Sequence, residues 1–426
     1  MARVFVTDGH WRKTLAVARS LGRKGVHVTV GERTSLNTSF FSKYCSRRIV
    51  YPSPKRFPEQ FIEFLLKEIK KNHYDCLFPM EEETLLLVAK HQKEISSHTS
   101  LIIPGLKKIE FVRDKGNLIR FAEARGIPVP KTFYFPPTLA LPHQGGGDNL
   151  EAPTSILVRH QSPDDGVPHE EGGEDREGEG RVGGIPIPAV IKPRISSGSF
   201  GIVYVTKRED LLPSYQKVHA RYPFPLVQEW IPDGGGTFGF SALFDEASNV
   251  KAAFIHKKMR MYPVQGGPST LREGVCHPQI MEWGISLLKA LNWTGIAMAE
   301  FKVDPRDGIP KLMEVNPRFW GSLQLAIISG VDFPWLILNM ALGKDFSPVL
   351  DYRVDQRCRW LLFGDILHFI KNPRRFHLRP SFFRFLDANT SDDIFSLDDP
   401  LPVLGAAATF FTFLYDPEMK RFLERR

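Results

Sequence analysis

Short apolar runs alternate with amphipathic stretches through the first quarter of the chain. Residues 4–7 form an apolar run that ends near Gly9, and residues 12–21 carry apolar side chains at helical spacing. Gly22 and Gly25 punctuate the chain before a second apolar run at 26–30, which ends at Gly31, Glu32 and Arg33. The spacing predicts a strand–helix–strand unit. A helix over 57–71, a run at 76–79, a helix over 83–91 and a run at 101–104 continue the alternation. Strands alternating with helices predict a parallel sheet covered on both faces. The stretch Asp8-Gly9-His10-Trp11 is a poor phosphate loop and Gly-x-Gly-x-x-Gly is absent, so this part reads as a structural or substrate-side domain.

Asp114 opens a helix over 115–125, stopped by Gly126, and Pro128 and Pro130 lead into an apolar run at 132–135. The pattern then lapses. Residues 164–181 hold eight acids and two arginines among glycines, a composition with too little apolar surface to order itself. The span 137–187 is therefore expected to be a disordered acidic insert. Strands return at 189–192 and 226–231, followed by an antiparallel pair at 238–245 and 250–256 turning near Ser248 and Asn249. A helix over 279–291 precedes a hairpin of 296–303 and 311–316, and an apolar helix spans 333–342.

Composition narrows the classes. A length of 426 residues predicts two to four domains, and 42% hydrophobic with 24% charged residues excludes wholesale disorder and collagen-like structure. The four cysteines form no Cys-x-x-Cys pair, which argues against a disulfide scaffold or zinc knuckle and for a reducing, cytoplasmic location. The formal net charge of +8 suits an anionic partner; no nucleic-acid signature accompanies it, so nucleic acid is not expected. No run reaches the length of a spanning helix; the nearest, 401–415, is short and contains Pro402 and Gly405.

The hairpin carries the clearest chemistry. Alternation puts Met298, Glu300 and Lys302 on one face of its first strand, and Leu312, Glu314 and Asn316 on one face of its second. A turn near 306–308 sets Glu300 opposite Glu314. Facing carboxylates repel, and become favourable if a cation sits between them. With the Asn316 amide oxygen they offer hard ligands for Mg²⁺ carrying substrate phosphates, the bland alternative being pairing with Lys302, Arg318 or another base. Arg318 continues the alternation if the strand runs past Pro317, and its guanidinium suits a phosphate or carboxylate. Lys192 ends a buried-looking strand before a Ser/Gly loop at 196–201, a common arrangement for phosphates. A cation- and glycine-rich stretch over 256–272 reads as the acyl-acceptor side. There Arg260 and Arg272 grip a carboxylate, Ser269 and Thr270 sit on a closing loop, and His256 is structural.

In that order, these pieces resemble the ATP-grasp superfamily, in the carboxylate–amine ligase branch related to biotin carboxylase and carbamoyl-phosphate synthase. The resemblance rests on Arg113-Asp114-Lys115, Ala189-Val190-Ile191-Lys192, the Ser/Gly loop, Gln228-Glu229-Trp230-Ile231, Met298-Ala299-Glu300-Phe301 and Glu314-Val315-Asn316-Pro317-Arg318. It implies an α/β fold: a Rossmann-like domain over 1–112, a two-subdomain ATP-grasp domain over 113–344 interrupted by the insert, and a mostly helical C-terminal extension over 345–426. It also implies site roles. Lys115 and Lys192 would touch ATP phosphates, Ser197, Gly198, Ser199 and Gly201 would form a lid, and Gln228, Glu229, Trp230 and Ile231 would hold adenine. Glu300, Glu314 and Asn316 would bind Mg²⁺ (or Mn²⁺), and Arg318 would steady the transferring phosphoryl group beside Arg260 and Arg272. The implied reaction joins a small-molecule carboxylate to an amine through an acyl phosphate, with ADP and phosphate released. A small-molecule kinase and a non-catalytic ATP-binding regulator are the alternatives. The sequence departs from the pattern at 233–239, where the acid of an expected Gly-x-Glu element is missing.

Superfamily relatives are often dimers, so a homodimer is an expectation too. In the extension, an apolar stretch at 360–370 and a basic cluster of Lys371, Arg374, Arg375, Arg379 and Arg384 precede the apolar 401–415. That pattern can rest on an anionic membrane surface, but a small helical unit docked on the core is the favoured reading.

Overall fold

The computed structural model describes residues 1–135, 184–196, 200–264, 266–385 and 387–416. The expected acidic insert up to residue 183 lies outside these residues, as do Ser197, Gly198 and Ser199 of the Ser/Gly loop. The chain divides into two compact units, Met1–Pro128 with Asp233–Arg426, and Val129–Pro232.

The first unit opens with the predicted alternation: β1 (Arg3–Val6), α1 (Arg12–Gly22), β2 (His27–Glu32), β3 (Arg47–Val50), α2 (Pro58–Asn72), β4 (Cys76–Phe78) and α3 (Glu82–Lys90). Short α4 (Gln92–Ser96), α5 (Leu106–Arg113) and α6 (Lys115–Glu123) come next. The strands form a parallel sheet in the order β3-β2-β1-β4. β3 reads Arg-Arg-Ile-Val, and only Ile49 of it is buried, so no apolar period predicts it.

The second unit holds β5 (Thr132–Tyr134), β6 (Ala189–Lys192), β7 (Val203–Val205), α7 (Leu211–Arg221) and β8 (Leu226–Glu229). Its antiparallel sheet, in the order β5-β8-β6-β7, packs Ile191, Val205 and Val227 against Tyr215 and Val218 of α7. The described chain resumes at Gly184, and Ile185 already belongs to this core.

The remainder of the first unit is built on β9 (Thr237–Phe244), β10 (Val250–Met261), β11 (Ser269–Gly274), α8 (Pro278–Ala290), β12 (Gly295–Val303) and β13 (Pro310–Asn316). Then come α9 (Leu323–Ser329), α10 (Phe333–Ala341), β14 (Arg357–Arg359), α11 (Ile366–Lys371), β15 (Thr390–Asp392) and α12 (Pro402–Tyr415). Seven strands form one sheet in the order β13-β12-β9-β10-β11-β14-β15. The stretch over 256–272 is thus not a closing loop. Cations at alternate positions hid a strand pair, and Ser269 and Thr270 are buried strand residues of β11.

Alternation decides what each face of this sheet meets. One face carries Phe240, Ala299 and Phe301 toward α8, where Gly284 permits close approach: a Cβ there would lie 2.3 Å from Phe240. The other face begins apolar, with Leu243, Phe254, Ile296 and Met298 sharing a core with β1, β2 and α1 through Trp320 and Phe333. Each large apolar side chain buried there contributes about 1.5–3 kcal/mol. Farther along, the same face turns polar at His256, Lys258, Glu300 and Glu314.

The segment after Lys344, expected mostly helical, adds two strands to this sheet, β14 beside β11 and β15 at the edge. α12 docks through Ala406 and Val403 near Leu15 of α1. Among the described residues no single helix is long and apolar enough to cross a membrane; the apolar α9 and α10 are bent by 85° and bury most of their length in the core.

Candidate active site

β12 and β13 pair so that Glu300 stands opposite Glu314 and Met298 opposite Asn316, the register that alternation predicts. A bulge at Met313 shifts the ladder toward the turn, where Phe301 pairs with Leu312. Leu312 therefore joins Phe301 in the core and does not share the face of Glu314.

Each acid has its own lysine. Lys258 Nζ lies 2.6 Å from Glu300 Oε2, and Lys115 Nζ lies 3.6 Å from Glu314 Oε2. Asn316 Nδ2 donates to Glu314 Oε1 at 3.2 Å. Lys115 is held at the first turn of α6, where the Asp114 carboxylate accepts from the backbone N–H groups of Gly116 and Asn117 at 2.8 and 3.2 Å. That is an N-cap, so the Arg113-Asp114-Lys115 element has a structural reason.

Between Glu300 and His256 stands Gly239, register partner of both. A Cβ at Gly239 would lie 2.3 Å from His256 Cε1, so a side chain there would displace the ring. His256 is buried and shares a hydrogen bond of 3.1 Å between Nε2 and the Ser322 hydroxyl. Burial, then the Lys258 and Arg272 cations, push its pKa down to about 3, so the ring stays neutral.

Two carboxylates and the free amide oxygen of Asn316 are hard donors of the kind Mg²⁺ takes. Among the described residues no group of three or more His, Cys, Asp or Glu side chains is placed to hold a metal. The residues fit an ion that draws its remaining ligands from phosphate oxygens and water, as Mg²⁺ usually does.

Other expected residues are placed differently. Arg318 lies beyond the end of β13, so the strand does not carry it past Pro317. Its Nη1 donates to the Phe319 carbonyl at 3.0 Å. It approaches Lys13 and Glu81, themselves 2.7 Å apart; burial alone would raise the Glu81 carboxyl, but these two cations hold it below its usual range. The Arg318 Nε is buried without a hydrogen-bond partner. Arg272 is fully buried and ion-paired with Asp393, which also lies 3.0 Å from Arg12 Nε. Arg260 is 3.0 Å from Asp365, which Arg359 also holds, at 2.6 Å. Arg260 and Arg272 thus belong to two separate clusters, each closed by an aspartate from the segment after Lys344.

In the second unit Lys192 is the last residue of β6 and Gly201 precedes β7 with φ of +74°. Gln228 bonds the Thr132 hydroxyl at 2.8 Å, and the Glu229 carboxylate accepts from the Lys131 backbone N–H at 2.9 Å. The Trp230 N–H donates to the Pro188 carbonyl at 3.1 Å; Ile231 comes just past the end of β8.

Sequence reasoning passed over Lys258 as the partner of Glu300. Its signal was present: reading 250–261 as one strand puts Lys258 two positions from His256 and on the same face. It also passed over Asp365 and Asp393, which lie 105 and 121 residues from their arginines.

The chain is similar to several known proteins. A family model described as "ATP-grasp in the biosynthetic pathway with Ter operon" matches residues 253–361, a stretch that includes Lys258, Arg272, Glu300, Glu314 and Asn316. The structure is similar to biotin carboxylase from Campylobacter jejuni, with a TM-score of 0.60 and 14% identity over 83% of this chain and 74% of that one. It is similar to L-amino acid ligase from Bacillus licheniformis, with a TM-score of 0.54 and 17% identity over 80% and 74%. N5-carboxyaminoimidazole ribonucleotide synthetase from Thermotoga maritima gives a TM-score of 0.52 and 16% identity over 84% and 79%. No curated protein matches the chain in sequence. The chain thus shares the fold of these proteins, and its residues 253–361 match an ATP-grasp family model.

Proposed function

We propose that this protein is an ATP-dependent ligase that joins a small-molecule carboxylate to an amine. The observation that carries this reading is the facing pair Glu300 and Glu314, each beside a lysine, within the segment that matches an ATP-grasp family. A binding module without turnover has little use for two confronted carboxylates, which destabilise a hairpin unless cations compensate them.

In this reading Glu300, Glu314 and Asn316 hold Mg²⁺, which when bound neutralises charge on the nucleotide phosphates. The resemblance to ATP-grasp proteins assigns the phosphates to Lys115 and Lys192, the lid to residues 197–201 and adenine to residues 228–231. Lys258 keeps Glu300 oriented, and Asn316 does the same for Glu314. A carboxylate oxygen attacks the γ-phosphorus and ADP departs. The amine then attacks the acyl carbon, loses a proton, and displaces phosphate. The buried Arg318 Nε–H is available to an anion in these steps. Arg260 and Arg272 serve by shaping the acid's side of the site through their aspartates. The domain limits 1–112, 113–344 and 345–426, a homodimer and a cytoplasmic location belong to the same proposal.

An acid labelled with ¹⁸O in its carboxylate tests the step sequence. One labelled oxygen should appear in each released phosphate. Unlabelled phosphate would overturn the acyl-phosphate route.

A further inference from the structure

Residues 371–385 contain five cations, four phenylalanines and no acid. They do not fold inward. Phe369 and Phe382 make a floor, with their rings stacked at 4.3 Å between centroids. Beneath Phe382 lies the Arg359 guanidinium at 4.5 Å, itself fixed by buried Asp365. On that floor stand Phe376 and Phe383, 5.6 and 5.4 Å from Phe369, and Phe385, 5.7 Å from Phe382. These three rings are 72%, 59% and 54% exposed, and Ile370 beside them is 54% exposed. The ring contacts make the patch continuous in space. Isolated exposed apolar side chains need no explanation; a contiguous cluster of aromatic ones does.

The charges of the segment are equally unbalanced. Lys371, Arg374 and Arg379 have no carboxylate within ion-pair distance among the described residues. Arg384 reaches Asp387 at 3.6 Å, and Arg375 donates to the Ile370 carbonyl.

We propose that this surface docks the protein on an anionic lipid membrane. Exposed rings suit the boundary between headgroups and acyl chains, and flanking lysines and arginines suit the phosphate level above it. The apolar content of the patch favours lipid over nucleic acid: Ile370, Phe376, Phe383 and Phe385 are all more than half exposed and together form an apolar knob suited to acyl chains. α12 is no part of this patch, since it packs near Leu15 of α1 through Val403 and Ala406.

The test is sedimentation of the full chain with vesicles of phosphatidylcholine alone or mixed with phosphatidylserine. Binding should require phosphatidylserine and weaken with salt. The triple variant Lys371→Gln, Arg374→Gln, Arg379→Gln should bind on the order of a hundredfold more weakly, at roughly fivefold per cation. Phe376→Ser with Phe383→Ser should also weaken binding at unchanged charge, while both variants keep the parent melting temperature. Equal binding to neutral and anionic vesicles, or variants that bind like the parent, would overturn the proposal. So would ring-dependent self-association without vesicles, which would assign the patch to a second copy. Binding of single-stranded RNA in place of vesicles would overturn it as well.

Discussion

Glu300 and Glu314 face each other across the β12–β13 ladder, and each is met by a lysine from a different element, Lys258 of β10 and Lys115 of α6. The arrangement brings four charged groups together at one end of the hairpin.

Removing Lys258 leaves Glu300 and Glu314 confronted with less compensation. Lys258→Ala should destabilise the protein by about 1 kcal/mol, a drop of roughly 2 °C in melting temperature. Mg²⁺ should then stabilise the variant more than the parent. Thermal melts with and without Mg²⁺ check this; an identical response in both proteins would contradict the metal assignment.

Glu314→Ala should lower Mg²⁺-dependent turnover at least about a hundredfold. The side chain is partly exposed and its strand is held by backbone pairing, so the melting temperature should stay near that of the parent. Unchanged turnover would remove Glu314 from the site.

Arg272 is fully buried against Asp393. Asp393→Asn leaves that charge uncompensated and should cost about 3–5 kcal/mol in urea unfolding. The double variant Arg272→Met with Asp393→Leu should recover only part of the loss, because Arg12, which also faces Asp393, then stays buried without its carboxylate. A single variant costing under about 1 kcal/mol would show that the pair does not hold β15 to the sheet.

Asp8 and Glu32 sit at the ends of β1 and β2, and burial raises both carboxyls to about 7, helped at Asp8 by the neighbouring acids. The folded protein therefore keeps protons that the unfolded chain releases near its ordinary values of 3.8 and 4.5. Their contribution is fully present below those values and is lost as pH rises through 7. Asp8→Asn stays neutral and can still accept from Thr84. Its stability should fall less than that of the parent between about pH 5 and 8; an equal fall would contradict the raised Asp8 pKa.

The legible parts of this molecule are those governed by local periodicity. The β12–β13 hairpin could be read because side chains alternate and the turn at 304–308 fixes the register, which put Glu300 opposite Glu314. The bulge at Met313 left no mark in the pattern, so Leu312 was assigned to the wrong face. β11 was hidden because Arg272 and Glu273 interrupt its apolar positions, their charges being met by Asp393, just past β15, and Arg357 of β14, far along the chain. β14 and β15 have three residues each, too few for any period to show. The arginine clusters rest on contacts more than a hundred residues apart, which no local spacing encodes.

Ligation is read out by ADP release from the purified protein with Mg-ATP, against pooled amino acids and small carboxylates, with and without added amines. The ligase account predicts ADP only when an acid and an amine are both present. ADP formed with a single co-substrate, matched by a stable phosphorylated product, would contradict it and make the protein a kinase.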